Sequence, residues 1–127
     1  MKTVFIVEDD TMYQLILKHL IMKEHADAVV STFSNGLPAI TEIKKIESEK
    51  GPMPDIILLD INMPIMDGWQ FLDTVNGLGP DTFSHTDIYI ISSSLDVRDR
   101  ERAIANPYVK EYIYKPVTPE QLAQMLH

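Results

Sequence analysis

Four apolar residues in a row, Ile56 to Leu59, stop on an acid, Asp60. Pro54 stands before them, and Pro64 and Gly68 follow as further punctuation. A run without a polar break reads as a strand buried on both faces, the kind found inside a parallel sheet. An acid at the C-terminal end of such a strand lies where open α/β sheets place their ligands. The remaining chain is read by asking what it delivers to Asp60.

Thr3 to Val7 reads as a short strand that runs into Glu8, Asp9 and Asp10. Thr11 is the expected cap of a first helix, in which Met12, Leu15, Ile16 and Leu20 fall at helical spacing through about Lys23. Ala28 to Phe33 is a second strand, and Ser34-Asn35-Gly36 a turn. Pro38 suits the first turn of a second helix, with Leu37, Ile40, Ile43 and Ile46 expected on its inner side and Gly51-Pro52 ending it. After the central strand, Asp67 caps a helix from about Gly68 to Val75. Asn76 to Asp87 holds two glycines and a proline and reads as a loop without a clear element.

Ile88 to Ile91 is a fourth buried strand, leading into Ser92-Ser93-Ser94. A polar helix follows from about Asp96 to Ala105 and breaks at Asn106-Pro107. Tyr112 to Tyr114 is a fifth strand, ended by Lys115-Pro116. Thr118-Pro119-Glu120 opens a last helix with a cap, an early proline and an early acid, and Leu122, Met125 and Leu126 face inward. Strand then helix, five times over with mostly short connections, predicts a doubly wound α/β sheet with right-handed crossovers. One domain, residues 1–127, is expected, with no internal repeat.

A net charge of −8 argues against direct binding of nucleic acid and favours cationic ligands. The absence of cysteine excludes disulfides, thiolate metal sites and cysteine catalysis. The apolar run Val4 to Val7 is far too short for a signal peptide or a membrane span, so a cytoplasmic location is expected and no membrane partner.

In a parallel sheet the C-terminal strand ends share one edge, so Glu8, Asp9, Asp60, Ser92 and Lys115 converge. Three carboxylates gathered there repel one another. A hard divalent cation relieves that repulsion, and oxygen ligands with retained waters suit Mg²⁺. Lys115 and the Ser92 hydroxyl are what an incoming phosphoryl group needs, and Asp60 is placed as the nucleophile that forms an aspartyl phosphate. Little further chemistry is required, because phosphoryl transfer is mostly positioning and charge neutralisation.

The chain resembles the receiver domain of two-component response regulators, the CheY-like type, over essentially its whole length. The residues that carry the resemblance are Glu8-Asp9, Asp60 with Met63-Pro64 and Asp67-Gly68, Ser92-Ser93, and Lys115-Pro116. The resemblance implies a flavodoxin-like (βα)5 fold with strand order 2-1-3-4-5. It implies that Asp60 is the phosphoacceptor, that Asp9 binds Mg²⁺ directly and Glu8 through water, and that the Asn62 backbone carbonyl completes the metal site. Lys115 would pair with the phosphoryl group, and the Lys115–Pro116 bond would be cis. Ser92 would swing toward the phosphoryl group with Tyr112 turning inward, reshaping the face of the fourth helix, fifth strand and fifth helix. The side chains of Asn62 and Ser94 stand where the family tunes phosphoryl lifetime.

The partners implied are a histidine kinase or histidine phosphotransfer protein upstream and a protein target downstream. The chain would assist its own phosphorylation and dephosphorylation without being an enzyme for other substrates. Other readings stay open: a receiver-fold interaction module that works without phosphorylation, or a receiver cut from a larger regulator or hybrid kinase. A phosphatase of the aspartyl-phosphate kind lacks the general acid two residues after Asp60, where Asn62 stands. Ser92 to Ser94 also reads as a plain polar turn, and Asp10 as a solvated acid at the next helix's N-terminus.

Overall fold

A computed structural model, which describes residues 2–79 and 81–127, arranges strands and helices in strict alternation. The order is β1 (Thr3–Val7), α1 (Thr11–Glu24), β2 (Val29–Phe33), α2 (Gly36–Ser48), β3 (Ile56–Leu59) and α3 (Gly68–Asn76), then β4 (Asp87–Ser92), α4 (Val97–Ala105), β5 (Val109–Tyr114) and α5 (Pro119–Leu126). The five strands form one parallel sheet in the order β2-β1-β3-β4-β5, as expected. All four β3 residues are buried, which accounts for the unbroken apolar run: one side chain in two faces each layer of helices. Ile57 and Leu59 pack into one core with α2 and α3; Ile56 and Leu58 pack into the other with α1 and α5.

Three local expectations change. The residue that caps α1 is Asp10, not Thr11: its carboxylate accepts the amides of Met12 and Tyr13 at 3.0 and 3.3 Å. An acid at that place satisfies two free N–H groups and meets the positive end of the helix dipole. The Met12, Leu15, Ile16 stripe faces outward, Met12 being 66% exposed. The buried face of α1 carries Leu17 and Ile21, with Tyr13 and Leu20 packed against that core. In α2, Leu37 is exposed, while Ala39, Ile40 and Ile43 are buried and Ile46 is partly so.

Other boundaries move by a few residues. Strand β5 starts at Val109 rather than Tyr112, because Val109 pairs with Ile88 across a register shift. Asp96 is the cap of α4 rather than its first residue. The stretch expected as a loop at 76–87 opens on the last residue of α3 and continues in turns that carry buried Phe83 and Thr86; Pro80 in this stretch lies outside the described residues. Both α3 and α5 begin with a reciprocal capping box, Asp67 with Gln70 and Thr118 with Gln121. The Lys115–Pro116 bond is cis.

Candidate functional site

The geometry at the C-terminal edge of the sheet follows from register. Val7 lies beside Leu59 on β3, and Leu59 beside Ile90 on β4. Asp60 and Glu8, the first residues beyond β3 and β1, are therefore neighbours. The Asp60 amide donates to the Val7 carbonyl and the Glu8 amide to the Phe33 carbonyl, both at 2.9 Å. The Lys115 amide donates to the Ser92 carbonyl, which holds the end of β5 against the end of β4.

Glu8, Asp9 and Asp60 each offer an oxygen, and these oxygens lie within 4.8 Å of one another. Among the described residues this is the one group of three or more acids or histidines so arranged. Glu8 is fully buried and Asp60 is 5% exposed, whereas Asp9 faces solvent. Lys115 stands over the pair: its Nζ is 2.5 Å from Glu8 Oε1 and 3.6 Å from Asp60 Oδ2. The second oxygen of Glu8 accepts the Asp10 amide at 3.0 Å, and Asp60 Oδ1 accepts the Ile61 amide at 2.9 Å.

Burial is the largest influence on these groups. It pushes the Glu8 carboxyl up to about 7, with the neighbouring Asp60 charge in the same direction, against the pull of Lys115 and the Asp10 amide. Asp60 is also raised, by burial first and then by Asp9, although Lys115 opposes this. For Lys115 burial works against the ammonium, but the bond to Glu8 and the charge of Asp60 outweigh it and hold the group above its ordinary value. Three carboxylates therefore face one lysine, with one acid open to water.

That donor set fits Mg²⁺. It is all oxygen, it gathers three carboxyl groups against one ammonium, and its exposed side leaves room for retained waters. Asn62, whose carbonyl the family resemblance adds to the metal site, lies exposed on the β3–α3 loop. That loop is held close by Gly68. A Cβ there would fall 2.5 Å from the Asp60 carbonyl oxygen, and the Gly68 amide donates to the Ile61 carbonyl.

Ser92 is fully buried at the end of β4, and its Oγ accepts the Ser94 amide at 3.0 Å. Tyr112 is buried, and its hydroxyl donates to the Ser94 carbonyl at 3.1 Å. The Ser94 hydroxyl donates to Asp99 of α4 at 2.6 Å. Ser94 thus joins β4, β5 and α4 through its amide, carbonyl and side chain. Two further residues enter the site without having been anticipated, Tyr13 and Gln14. Gln14 donates through Nε2 to the Glu8 carbonyl at 2.5 Å and steadies the β1–α1 turn. Both sit on the buried side of α1, and choosing the Leu17–Ile21 stripe would have found Tyr13 one helical turn earlier.

The family model described as response regulator receiver domain matches residues 4–127. A probable C4-dicarboxylate response regulator, DctR of Priestia megaterium, is 28% identical over 98% of this chain and 50% of its own length. The chain spans about half, or less, of the length of the first curated relatives it matches. Among solved structures, a two-component response regulator from Cytophaga hutchinsonii superposes with a TM-score of 0.88 at 27% identity, covering 98% of this chain and 93% of that one. The phosphorylated cyanobacterial phytochrome response regulator RcpA gives 0.79 at 25% identity, covering 98% and 88%. Sheet order, acidic edge and matched family agree: the chain belongs to the response regulator receiver domains of two-component systems.

Proposed function

We propose that this receiver domain accepts a phosphoryl group on Asp60 from the phosphohistidine of a histidine kinase or histidine phosphotransfer protein. The observation that carries the reading is the convergence of Glu8, Asp9 and Asp60 under the Lys115 ammonium. Asp60 Oδ2, the oxygen nearest Lys115, attacks the phosphorus; the P–N bond to the imidazole breaks, and the imidazole leaves as the neutral base after taking a proton. Asp9, Asp60, Glu8 through water and the Asn62 carbonyl would hold Mg²⁺, which when bound would supply charge neutralisation for the transferring oxygens. Lys115, 3.6 Å from Asp60 Oδ2, supplies a second positive charge. Hydrolysis of the acyl phosphate by water ends the signal, and the side chains of Asn62 and Ser94, by the family resemblance, set its pace.

The readout runs through Ser94. Ser92 holds the Ser94 amide and Tyr112 holds its carbonyl, so drawing the Ser92 hydroxyl toward a phosphoryl oxygen breaks one bond and loads the other. The Asp99 contact transmits the change to α4. The face of α4, β5 and α5 is then the surface offered to a downstream protein, without direct contact to nucleic acid. A charge of about −2 need bias two packings by only a few kcal/mol to switch that surface. RcpA, solved in its phosphorylated form, supports the chemistry by likeness.

The test is intact-protein mass spectrometry after incubation with acetyl phosphate, with and without Mg²⁺. One Mg²⁺-dependent phosphoryl adduct is expected in the wild type and none in Asp60→Asn. Equal labelling of Asp60→Asn overturns the assignment. An unlabelled wild type that binds its target as Asp60→Asn does would favour a phosphorylation-independent module.

A further inference from the structure

Tyr13 lies on α1, four residues beyond Asp9, and belongs to neither the acidic cluster nor the Ser94 relay. Its ring stands against Lys115, whose Nζ is 5.0 Å from the ring centroid. Its hydroxyl oxygen accepts the Val117 amide at 2.9 Å, which fixes the ring against rotation. The one side chain therefore grips the β5–α5 loop on both sides of Pro116. The phenol is half-buried, and burial pushes it above its ordinary value, so it stays neutral wherever the protein works.

The position matters because the present partners of Lys115 are needed elsewhere. Glu8 and Asp60 hold the ammonium now. A cation drawn to those carboxylates weakens their hold and repels the lysine, and phosphorylation occupies Asp60. An aliphatic side chain at position 13 would fill the space but not attract a cation. A carboxylate would attract it but would add a fourth acid to the cluster. An aromatic face attracts the ammonium and brings no net charge of its own.

We propose that Tyr13 is a positioning residue for the phosphoryl-transfer site. Its ring is a neutral seat that keeps Lys115 at the mouth of the site while Glu8 and Asp60 are otherwise engaged. This rests on the phosphoacceptor reading above for its effect on rate, but not for its effect on the lysine itself.

The test has two arms. In the first, NMR of the protein with and without Mg²⁺ follows the Lys115 ε-methylene protons, which a ring facing the ammonium shifts upfield of the exposed lysines. The shift is expected to persist with Mg²⁺, to remain in Tyr13→Phe and to vanish in Tyr13→Leu. Lys115 resonances that coincide with those of exposed lysines in the Mg²⁺-bound wild type would overturn the proposal whatever the phosphorylation result. The second arm measures the rate of adduct formation from acetyl phosphate. Tyr13→Leu should slow it about three- to tenfold, the range of a partly buried cation–π contact, and Tyr13→Phe should recover most of the loss. A Tyr13→Leu rate equal to wild type, or Tyr13→Phe as slow as Tyr13→Leu, contradicts the ring's role. If the wild type takes no adduct, the phosphoacceptor reading fails and the NMR arm still decides whether the ring seats Lys115.

Discussion

The two edges of the sheet are built from the same strands but treat their polar groups differently. At the N-terminal edge every acid and hydroxyl named here has a structural partner. The Asp55 carboxylate accepts the Thr3 amide at 2.8 Å, joining β1 to the approach of β3. The buried Thr86 hydroxyl donates to the Pro54 carbonyl at 2.7 Å, which ties the turns before β4 to the same approach. Asp87 is paired with Lys110 across β4 and β5. At the C-terminal edge three carboxylates share one lysine, and burial raises two of them. The lesson is that a strand-end acid signals function when it is gathered with other acids that outnumber the cations beside them. Asp55 and Asp60 flank the same strand, and only Asp60 is in that condition.

The comparison breaks first at Lys115. Lys115→Ala should slow Mg²⁺-dependent labelling by about 10²- to 10³-fold, the usual cost of removing one charge-stabilising donor. A quench-flow or mass-spectrometric time course measures it; a change under threefold would mean that the lysine only balances charge at rest.

A second prediction concerns pH without metal. The folded Glu8 carboxyl is raised from 4.5 to about 7, so between those values the folded state holds a proton that the unfolded state has lost. Stability then falls as pH rises through that window. The contribution from this site is about 2 kcal/mol between pH 5 and pH 8, and Asp60 acts in the same direction. Urea unfolding in a chelator should show the decline, and Mg²⁺ or Glu8→Gln should flatten it. A decline of the same size in Glu8→Gln would place its source elsewhere.

The smallest effect belongs to the other edge. Thr86→Val removes a hydroxyl from a buried carbonyl and should cost about 1–2 kcal/mol of stability. Its labelling rate with acetyl phosphate should match wild type, since Thr86 lies at the far end of the strands. A rate loss there would mean that the two edges are coupled.

The sheet and its order were legible because β3 and β4 announce themselves: buried parallel strands are continuous apolar runs, and strand-end residues fall on one edge by topology alone. The structure places Glu8, Asp9, Asp60, Ser92 and Lys115 at that edge. The inner face of α1 was not legible for a physical reason. Met12, Tyr13, Leu15, Ile16, Leu17, Leu20 and Ile21 make the helix apolar nearly all round, so spacing alone offers two stripes and does not say which is buried. Tyr13 belongs to the buried stripe of Leu17 and Ile21 and is hidden by the same ambiguity. Sequence alone leaves Asp10 a solvated acid beside the next helix, and the bonds from the Met12 and Tyr13 amides make it the cap. The link from Ser94 to β5 is not legible in the sequence, because Tyr112, which donates to its carbonyl, lies far along the chain.

The most direct measurement is location of the phosphoryl group by borohydride trapping. Borohydride reduces an acyl phosphate to an alcohol and leaves free carboxylates intact, so peptide mass mapping marks the residue that carried it. After acetyl phosphate and Mg²⁺, the account predicts homoserine at position 60 and an unchanged residue at positions 8, 9, 10 and 55. Reduction at one of those other acids, or a phosphoryl group that survives borohydride on a serine or histidine, would contradict it.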